Sequence, residues 1–200
     1  MTHRLLLTLL LLLVVSGCST VPTHSPQNLD WPQREAALQQ ITAWQLEGRI
    51  AIRTADDSWS GSLWWQQLDD GYEIKFSGPF GQGAINLKGD QKQVVLNSSE
   101  GEIIGHNGAE QLMYEQLGWR VPISSLRYWV LGLPDPSKNS SLLEFDDFGR
   151  IKSLQQGGWS VNYRRYQLFQ QLDVPGKIAI KNHQLGVKLV IDHWQQPEKI

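Results

Sequence analysis

The feature that most limits how this chain can fold is an alternation of apolar and polar residues with a period of two. In the first run, Leu46, Ile50 and Ile52 share one face with Trp44. Successive side chains of a β-strand point to opposite faces, so the pattern predicts strands with one buried face each. Such runs fall at residues 44–53, 59–65, 72–76, 84–87, 93–97, 102–105, 142–145, 150–155, 159–164, 177–181 and 187–194. We therefore expect about ten to eleven short strands.

Three other segments have the spacing of helices. Residues 32–45 place apolar side chains three positions apart, ending at Trp44. Residues 109–117 carry an apolar stripe and stop before a glycine. Residues 122–131 begin with a proline and are followed by a glycine, which is the asymmetry typical of a helix. We predict a helix in each segment.

Many antiparallel strands interrupted by helices in two places predict a mainly β protein with a few helices, of the α+β class. One strongly curved sheet, open or closed, would carry the helices on its apolar concave side. A closed barrel with a packed interior fits the same pattern, and the alternation does not separate the two. The nine tryptophans also fit either a core built from large side chains or a cavity lined by aromatic rings.

The composition gives no sign of nucleic-acid binding or of catalysis. Once residues 1–17 are set aside, 17 Lys and Arg stand against 20 Asp and Glu, a formal charge of −3. That balance offers no basic footprint for nucleic acid. The histidines are too scattered for metal-ligand spacing, and the sequence contains neither a nucleophile elbow nor a phosphate-binding glycine loop. We expect a protein that is not an enzyme and that has no metal and no cofactor.

Pairs of aspartates at residues 56–57, 69–70 and 146–147 could be imagined as catalytic carboxylates. Each pair falls between two predicted strands, where Asp is favoured because its side chain bonds to nearby backbone groups. We interpret all three pairs as hairpin turns.

The N-terminus has the organisation of an export signal. Residues 1–17 have a basic start and an apolar run of eleven residues, which is too short for a bilayer span of roughly 20. Small residues then precede Cys18. This arrangement resembles the lipobox of bacterial lipoproteins, in which the cysteine is acylated and becomes the new N-terminus. Cys18 is the only cysteine, and lipid attachment would account for an otherwise unpaired thiol in an exported protein.

The chain after the signal divides into two parts. Residues 18–31 are polar with two prolines ahead of Asp30 and are expected to form a flexible tether. Ser19 resembles the residue found after the lipidated cysteine in lipoproteins of the outer membrane. Residues 32–200 are expected to form a single domain.

An apolar residue stands in the middle of the loop at residues 77–83. Glycine and proline surround Phe80, so the segment should lie at the surface. Phe80 either folds back into the core or offers itself to a membrane or an apolar partner. Burial of a Phe is worth roughly 2 kcal/mol, which by itself favours a return to the core.

The chain resembles the LolB family, the outer-membrane lipoprotein receptors of the Lol sorting pathway. The resemblance is carried by Trp-Trp-Gln-Gln at 64–67, Ser-Gly-Pro-Phe-Gly at 77–81 and the run at 122–134 that ends Leu-Arg-Tyr-Trp-Val-Leu-Gly-Leu-Pro. It implies an incomplete antiparallel barrel with helices as a lid over an apolar cavity. It also implies transfer of acylated lipoproteins from a soluble, LolA-like periplasmic carrier to the outer membrane by a lipid-anchored monomer on the periplasmic face. The family commonly has an exposed Leu at the position of Phe80, which would make this loop the membrane-insertion loop.

The residues on the apolar face of each predicted strand and on the apolar side of the third predicted helix are then the candidates for lining the cavity. They are Trp44, Leu46, Ile50, Leu63, Trp65, Ile74, Phe76, Leu126 and Val130. Arg127 lies on a helix that is otherwise apolar, so it either contacts the sheet and holds the lid closed or is simply solvated. Two other classes of function remain open from the residues alone: a Trp-rich module that binds envelope glycans, and a structural subunit of an outer-membrane assembly.

Overall fold

The computed structural model describes residues 29–90, 92–105, 108–118 and 120–197. Cys18, the signal segment and most of the tether lie outside these residues. The helices are α1 (Trp31–Gln39), α2 (Ala109–Leu117) and α3 (Ile123–Trp129), with a 3-10 turn at Pro79–Gly81. The strands are β1 (Ala43–Arg53), β2 (Ser58–Leu68), β3 (Gly71–Ser77), β4 (Ile85–Gly89), β5 (Val94–Ser98), β6 (Gly101–Gly105), β7 (Ser140–Phe145), β8 (Ile151–Gln156), β9 (Trp159–Phe169), β10 (Leu172–Lys181) and β11 (Gly186–Gln195).

The strands form a single antiparallel sheet of 11 strands. Its order is β6-β5-β4-β3-β2-β1-β11-β10-β9-β8-β7, so that β1 lies at the centre and the two edges are β6 and β7. Within the described residues these edges do not pair with each other, and the sheet is open. The expectation of a mainly β protein with a curved, incomplete barrel is confirmed, and the alternative of a closed barrel is wrong.

Close approach between the central strands requires a glycine. The register of β1 against β11 shifts at Gly48. A Cβ atom at this position would lie 2.1 Å from the carbonyl oxygen of Val190, which no side chain tolerates. The bulge bends β1 at this point, and bends of this kind let a long strand follow a curved sheet.

The first helix is shorter than its apolar spacing predicts. It begins after Asp30, whose carboxylate accepts a hydrogen bond from the N–H of Gln33, and it ends at Gln39 rather than near residue 45. From Ala43 onward the backbone pairs with β2 instead. Pairing across a whole 11-residue strand outweighs the three matching positions of the helical pattern, so Trp44 belongs to β1.

Two strands in the C-terminal half are longer than the alternation predicts. β9 runs to Phe169, beyond the predicted residue 164, and β10 begins at Leu172 rather than at 177. Their added parts pair with each other across register shifts between Pro175 and Ile178. Because a bulge breaks the period of two, the alternation could not indicate these parts. The three aspartate pairs do lie in the β1–β2, β2–β3 and β7–β8 turns.

Candidate functional site

One face of the first four strands forms an apolar wall. Leu46 of β1 pairs with Trp65 of β2, and Trp65 pairs with Ile74 of β3. Ile74 in turn pairs with Leu87 of β4. All four side chains are at most 2% exposed. A continuous lateral row of large apolar side chains therefore crosses four strands.

A second row lies beside the first. Leu63 pairs with Phe76, and both side chains are buried. Ile50 and Trp44 extend the wall along β1, and the ring of Trp44 lies 5.1 Å from that of Trp65. The seven strand residues predicted to line a cavity are thus all buried on one side of the sheet.

The short helix α3 covers this wall. Leu126, Trp129 and the following Val130 are buried, and so is Ile123 at the start of the helix. All of them belong to the same apolar cluster as the wall. The sheet and α3 consequently bring all nine residues of the candidate lining together, and their side chains pack against one another between the two layers.

Small clefts lie where the helices meet the sheet. One of about 310 Å³ opens between β2 and the two helices α2 and α3, and Trp65, Gln67 and Tyr128 are among its lining residues. A second of about 90 Å³ lies between α1 and the segment after α3. One acyl chain of about twelve methylenes needs about 360 Å³, because a group of the size of water occupies about 30 Å³. Neither cleft holds several acyl chains unless the helices move.

Two buried polar atoms at the larger cleft have no hydrogen-bond partner among the described residues. They are Nε1 of Trp65 and Oε1 of Gln67. Both side chains are 2% exposed and line the cleft. A buried donor or acceptor without a partner costs about 1–3 kcal/mol, so a ligand group that paired with either atom would gain from doing so.

Gln156 of β8 fastens the end of α3 to the sheet. Its Oε1 accepts hydrogen bonds from Nε1 of Trp129 at 2.9 Å and from the backbone N–H of Asp135 at 2.8 Å. Its Nε2 donates to the carbonyl oxygens of Asp135 and Lys138. The hydroxyl of Tyr163 donates to the carbonyl of Trp129. Gln156 and Tyr163 are polar side chains at buried positions of β8 and β9, and the alternation gave no sign of their role.

A second set of polar contacts joins α3 to the segment that follows it. The hydroxyl of Ser125, fully buried on α3, donates to Oδ2 of Asp135 at 2.7 Å. Lys138 bonds to the same hydroxyl, and its Nζ lies 3.3 Å from Oδ2 of Asp135. Burial raises the pKa of the Asp135 carboxyl, but hydrogen bonds from Ser137, Ser125 and Lys138 outweigh that effect and lower the pKa overall. Asp135 therefore stays charged beneath the helix.

Arg127 reaches from α3 to the β2–β3 turn. Its guanidinium lies 3.5 Å from the carboxylate of Asp70 and 3.4 Å from the carbonyl oxygen of Asp69. The side chain is 31% exposed, and an exposed pair of this length contributes little energy. Gln156 and Asp135 are the stronger attachments of α3.

A buried ionic cluster holds α1 against the far end of the sheet. Arg34 of α1 lies 3.8 Å from the carboxylate of Asp173, and Arg150 lies at the same distance from that carboxylate. Arg150 also pairs with Asp146 at 2.7 Å. Burial lowers the pKa of the Arg34 guanidinium. This cluster ties the beginning of the domain to the β7–β8 turn and to the start of β10.

The loop that contains Phe80 is a short, tightly bonded turn. The N–H of Gly78 donates to the carbonyl of Gln82 at 2.8 Å, and the N–H of Gly81 donates to that of Gly78 at 3.0 Å. Gly81 has a φ of +77°, which favours glycine. The Phe80 side chain, like Cys18, lies outside the part of the chain that the structure describes. The role of each stays a prediction.

Two further features concern the described residues as a whole. They contain no group of three His, Cys, Asp or Glu side chains placed to hold a metal ion. None of their helices has the length and hydropathy that crossing a membrane would require.

Comparison with known families adds a direct match. The family model for outer membrane lipoprotein LolB matches residues 42–194. The chain is 39% identical over 196 residues to the outer-membrane lipoprotein LolB of Nitrosococcus oceani, which covers 96% of this chain and 97% of that protein. It is 36% identical over 200 residues to the protein of the same name from Pseudomonas aeruginosa, and this alignment covers 98% of this chain and 97% of that protein.

Solved structures share the fold at low identity. A LolA superfamily protein from Nitrosomonas europaea aligns with a TM-score of 0.57 and 7% identity, over 86% of this chain and 96% of that one. A structure from Vibrio parahaemolyticus, described as an outer membrane lipoprotein-sorting protein domain, aligns with a TM-score of 0.56 and 10% identity. The alignment covers 84% of this chain and 92% of that one. At these identities the likeness concerns the fold alone.

Proposed function

The chain belongs to the LolB family and is an outer-membrane lipoprotein, and on that premise we propose how it works. It accepts acylated lipoproteins from a soluble periplasmic carrier, holds their acyl chains between α3 and the apolar wall, and inserts them into the outer membrane. It does so as a lipid-anchored monomer, without catalysis or nucleotide hydrolysis.

The energetics of acyl chains define what such a protein must offer. Each methylene exposed to water costs about 0.8 kcal/mol, so an acylated protein does not cross an aqueous compartment unaided. A receptor needs an apolar surface that binds slightly better than the carrier does. The bilayer must bind better still, because no energy source drives the last step.

The observation that carries the proposal is the construction of the concave side. A wall of large apolar side chains from β1, β2 and β3 is covered by a helix of only seven residues. That helix is fastened through Trp129 to Gln156 and through Ser125 to Asp135. Acyl chains would replace the apolar contacts of α3 with contacts of the same kind. Displacement of the helix would therefore change little apolar exposure, which suits a site that must fill and empty.

The unpartnered N–H of Trp65 supports the same use of the wall. Acyl chains are joined to a lipoprotein through ester and amide carbonyls, which accept hydrogen bonds. A carbonyl placed in the 310 Å³ cleft would satisfy the buried donor. Charge-neutral pairing of this kind typically gains about 1 kcal/mol, a contribution small enough to permit release.

In this proposal Cys18 serves for attachment and Phe80 for delivery. Acyl chains on Cys18 anchor the protein in the outer membrane through the tether. Phe80 enters the membrane interface and leads the cargo out of the concave side. The turn at Pro79–Gly81 restricts the loop and limits the entropy lost when Phe80 inserts.

Transfer of a photoreactive cargo would test the proposal. A lipoprotein bearing a photoreactive acyl chain is loaded onto the soluble carrier, mixed with the lipidated receptor, and irradiated. We expect labels at Leu46, Trp65 and Ile74, and none at the outward-facing Lys75, which lies next to Ile74 on the same strand. Ile74 is fully buried and Lys75 is 51% exposed in its side chain. Equal labelling of both faces, or no transfer from the carrier, would contradict the proposal.

A further inference from the structure

We propose that a basic groove near the Phe80 loop binds the phosphate of an anionic phospholipid headgroup. The groove has a volume of about 520 Å³ and runs across the ends of β1, β2, β10 and β11 and over the nearby part of β9. Four exposed cations belong to its lining: Arg53, Arg164, Lys181 and Lys188. The lining contains no acidic residue. The whole chain carries a formal charge of −2, so this concentration of positive charge is local.

The centre of the groove has space for an anion between two cations. Gly186 of β11 pairs with Arg53 of β1 on one side and with Lys181 of β10 on the other. Neighbouring strands lie about 4.8 Å apart, which puts the backbones of the two cationic residues roughly 10 Å apart. Gly186 has no side chain to fill this interval. A phosphate over Gly186 could bond to both flanking cations.

The neighbouring row of side chains leaves the same space open. Lys188 pairs with Ala51 and with Ala179, so two small residues flank the third cation. Asn162 pairs with Ala179 and adds a neutral amide to the lining. The small residues of the groove therefore leave space for a phosphate, and its cationic and amide groups can donate hydrogen bonds to the phosphate oxygens.

The four cations are not neutralised by neighbouring carboxylates. None of them forms an ion pair with an acidic side chain in the described part of the chain. The adjoining β1–β2 turn contains Asp56 and Asp57, and the carboxylate of Asp57 is bonded to the N–H of Ser58 at 2.7 Å. The positive charge of Arg53 and Lys181 thus remains available to an external anion.

The position of the groove selects a membrane lipid as the source of the phosphate. Trp59 lines the groove, and its Nε1 lies 4.0 Å from the point that a Cβ atom of Gly78 would occupy. Gly78 begins the turn that carries Phe80. The inference rests on the proposed function in one respect, which is that this loop faces the membrane. A groove beside an inserted loop would then meet headgroups, and its cations would hold the receptor in a fixed orientation.

Lysine accessibility on the full, lipidated protein tests the inference without carrier or cargo. The protein is reconstituted into vesicles of phosphatidylcholine, or of phosphatidylcholine with one third phosphatidylglycerol, and exposed lysines are acetylated and counted by mass spectrometry. We expect Lys181 and Lys188 to react roughly fivefold more slowly with phosphatidylglycerol present, because each basic side chain near an anionic surface contributes about 1 kcal/mol and 1.4 kcal/mol is a factor of ten. Lys88 and Lys92, beside the β4–β5 turn at the opposite end of the sheet, should react alike in both.

Gly186→Val provides the decisive variant. A Cβ atom at this position would lie 3.9 Å from the carbonyl oxygen of Arg53, an ordinary contact, and valine suits a strand. The variant should keep or raise the thermal stability while abolishing the protection of Lys181 and Lys188. The control Lys88→Gln removes a charge elsewhere and should preserve the protection.

Three results would overturn the inference. One is equal labelling of Lys181 and Lys188 in the two kinds of vesicle. Another is full protection of these lysines in Gly186→Val, which would indicate diffuse electrostatic attraction without a defined phosphate site. The third is protection that appears only when the soluble carrier is added, which would make the groove a docking surface for that protein. Failure of cargo transfer would leave this readout unchanged, so the two proposals can fail separately.

Discussion

The indole N–H of Trp129 and the side-chain oxygen of Gln156 are joined by a hydrogen bond of 2.9 Å between two fully enclosed side chains. Gln156→Ala would leave this N–H and that of Asp135 without partners. Since each unsatisfied buried group costs about 1–3 kcal/mol, we expect a loss of about 3 kcal/mol in the free energy of unfolding by urea. The matched control is Gln155→Ala, one residue away, where a single hydrogen bond to Ser160 is lost. A loss of the same size in both variants would refute a special role for Gln156.

The charge of Asp135 makes the attachment of α3 sensitive to acid. Its pKa in the folded protein is below the ordinary value of 3.8, so the unfolded chain takes up its proton first as the pH falls. The stability that this carboxylate contributes is therefore complete well above pH 3.8 and is lost below it. Asp135→Asn should flatten the fall in unfolding free energy between about pH 5 and pH 2. A fall as steep as that of the native protein would show that other carboxylates dominate. Asp56→Asn, in an exposed turn, is the control.

Phe80 should govern delivery and leave folding unaffected. Insertion of one Phe into the interface is worth on the order of 2 kcal/mol, and 1.4 kcal/mol is a factor of ten in rate. Phe80→Glu should therefore slow delivery into liposomes roughly thirtyfold, while Phe80→Leu stays close to normal. Melting temperatures and transfer rates, measured for both variants, distinguish a membrane role of Phe80 from a role in the core. A much lower melting temperature for Phe80→Glu would make Phe80 a core residue, and unchanged delivery would deny the loop a membrane role.

Cys18 should be the sole point of lipid attachment. Cys18→Ala should remove metabolic palmitate labelling and release the protein from the membrane fraction, while the domain unfolds at the same temperature. Because the variant can retain its signal peptide, its N-terminus should be determined alongside fractionation. Palmitate that persists in the variant would disprove the lipobox interpretation.

Much of the sheet could be predicted because its strands obey one local rule. Every second residue of a strand faces the same side, and Trp44, Leu46 and Ile50 accordingly share the buried side of β1. The same rule holds for Trp65 in β2 and Ile74 in β3. The alternation of side chains between the two faces is fixed by the geometry of a single strand and does not depend on the neighbouring strands. The openness of the sheet followed only from the resemblance, since edges depend on which strands meet.

The contacts that fasten α3 could not be predicted. Gln156 lies 21 residues from Asp135 and 27 from Trp129, and a lone glutamine in a strand has no local signature. Long-range polar pairs of this kind arise from the packing of the whole domain. The stop of α1 at Gln39 had the same origin, because pairing of β1 with distant residues overrode a local helical spacing.

The unpaired edges β6 and β7 give the concave side an adjustable width. In a closed barrel the number of strands and their stagger fix the diameter, and any widening would break a ladder of hydrogen bonds. Here β6 and β7 do not pair with each other within the described residues, so separation of these edges would break no ladder of the sheet. Under the proposed function, a concave side of this kind would accommodate cargoes that differ in the number and length of their acyl chains. Unpaired edges also invite strand addition by other chains, and β6, with only five residues, glycine at both ends and Glu102 between them, is too short to be a good template.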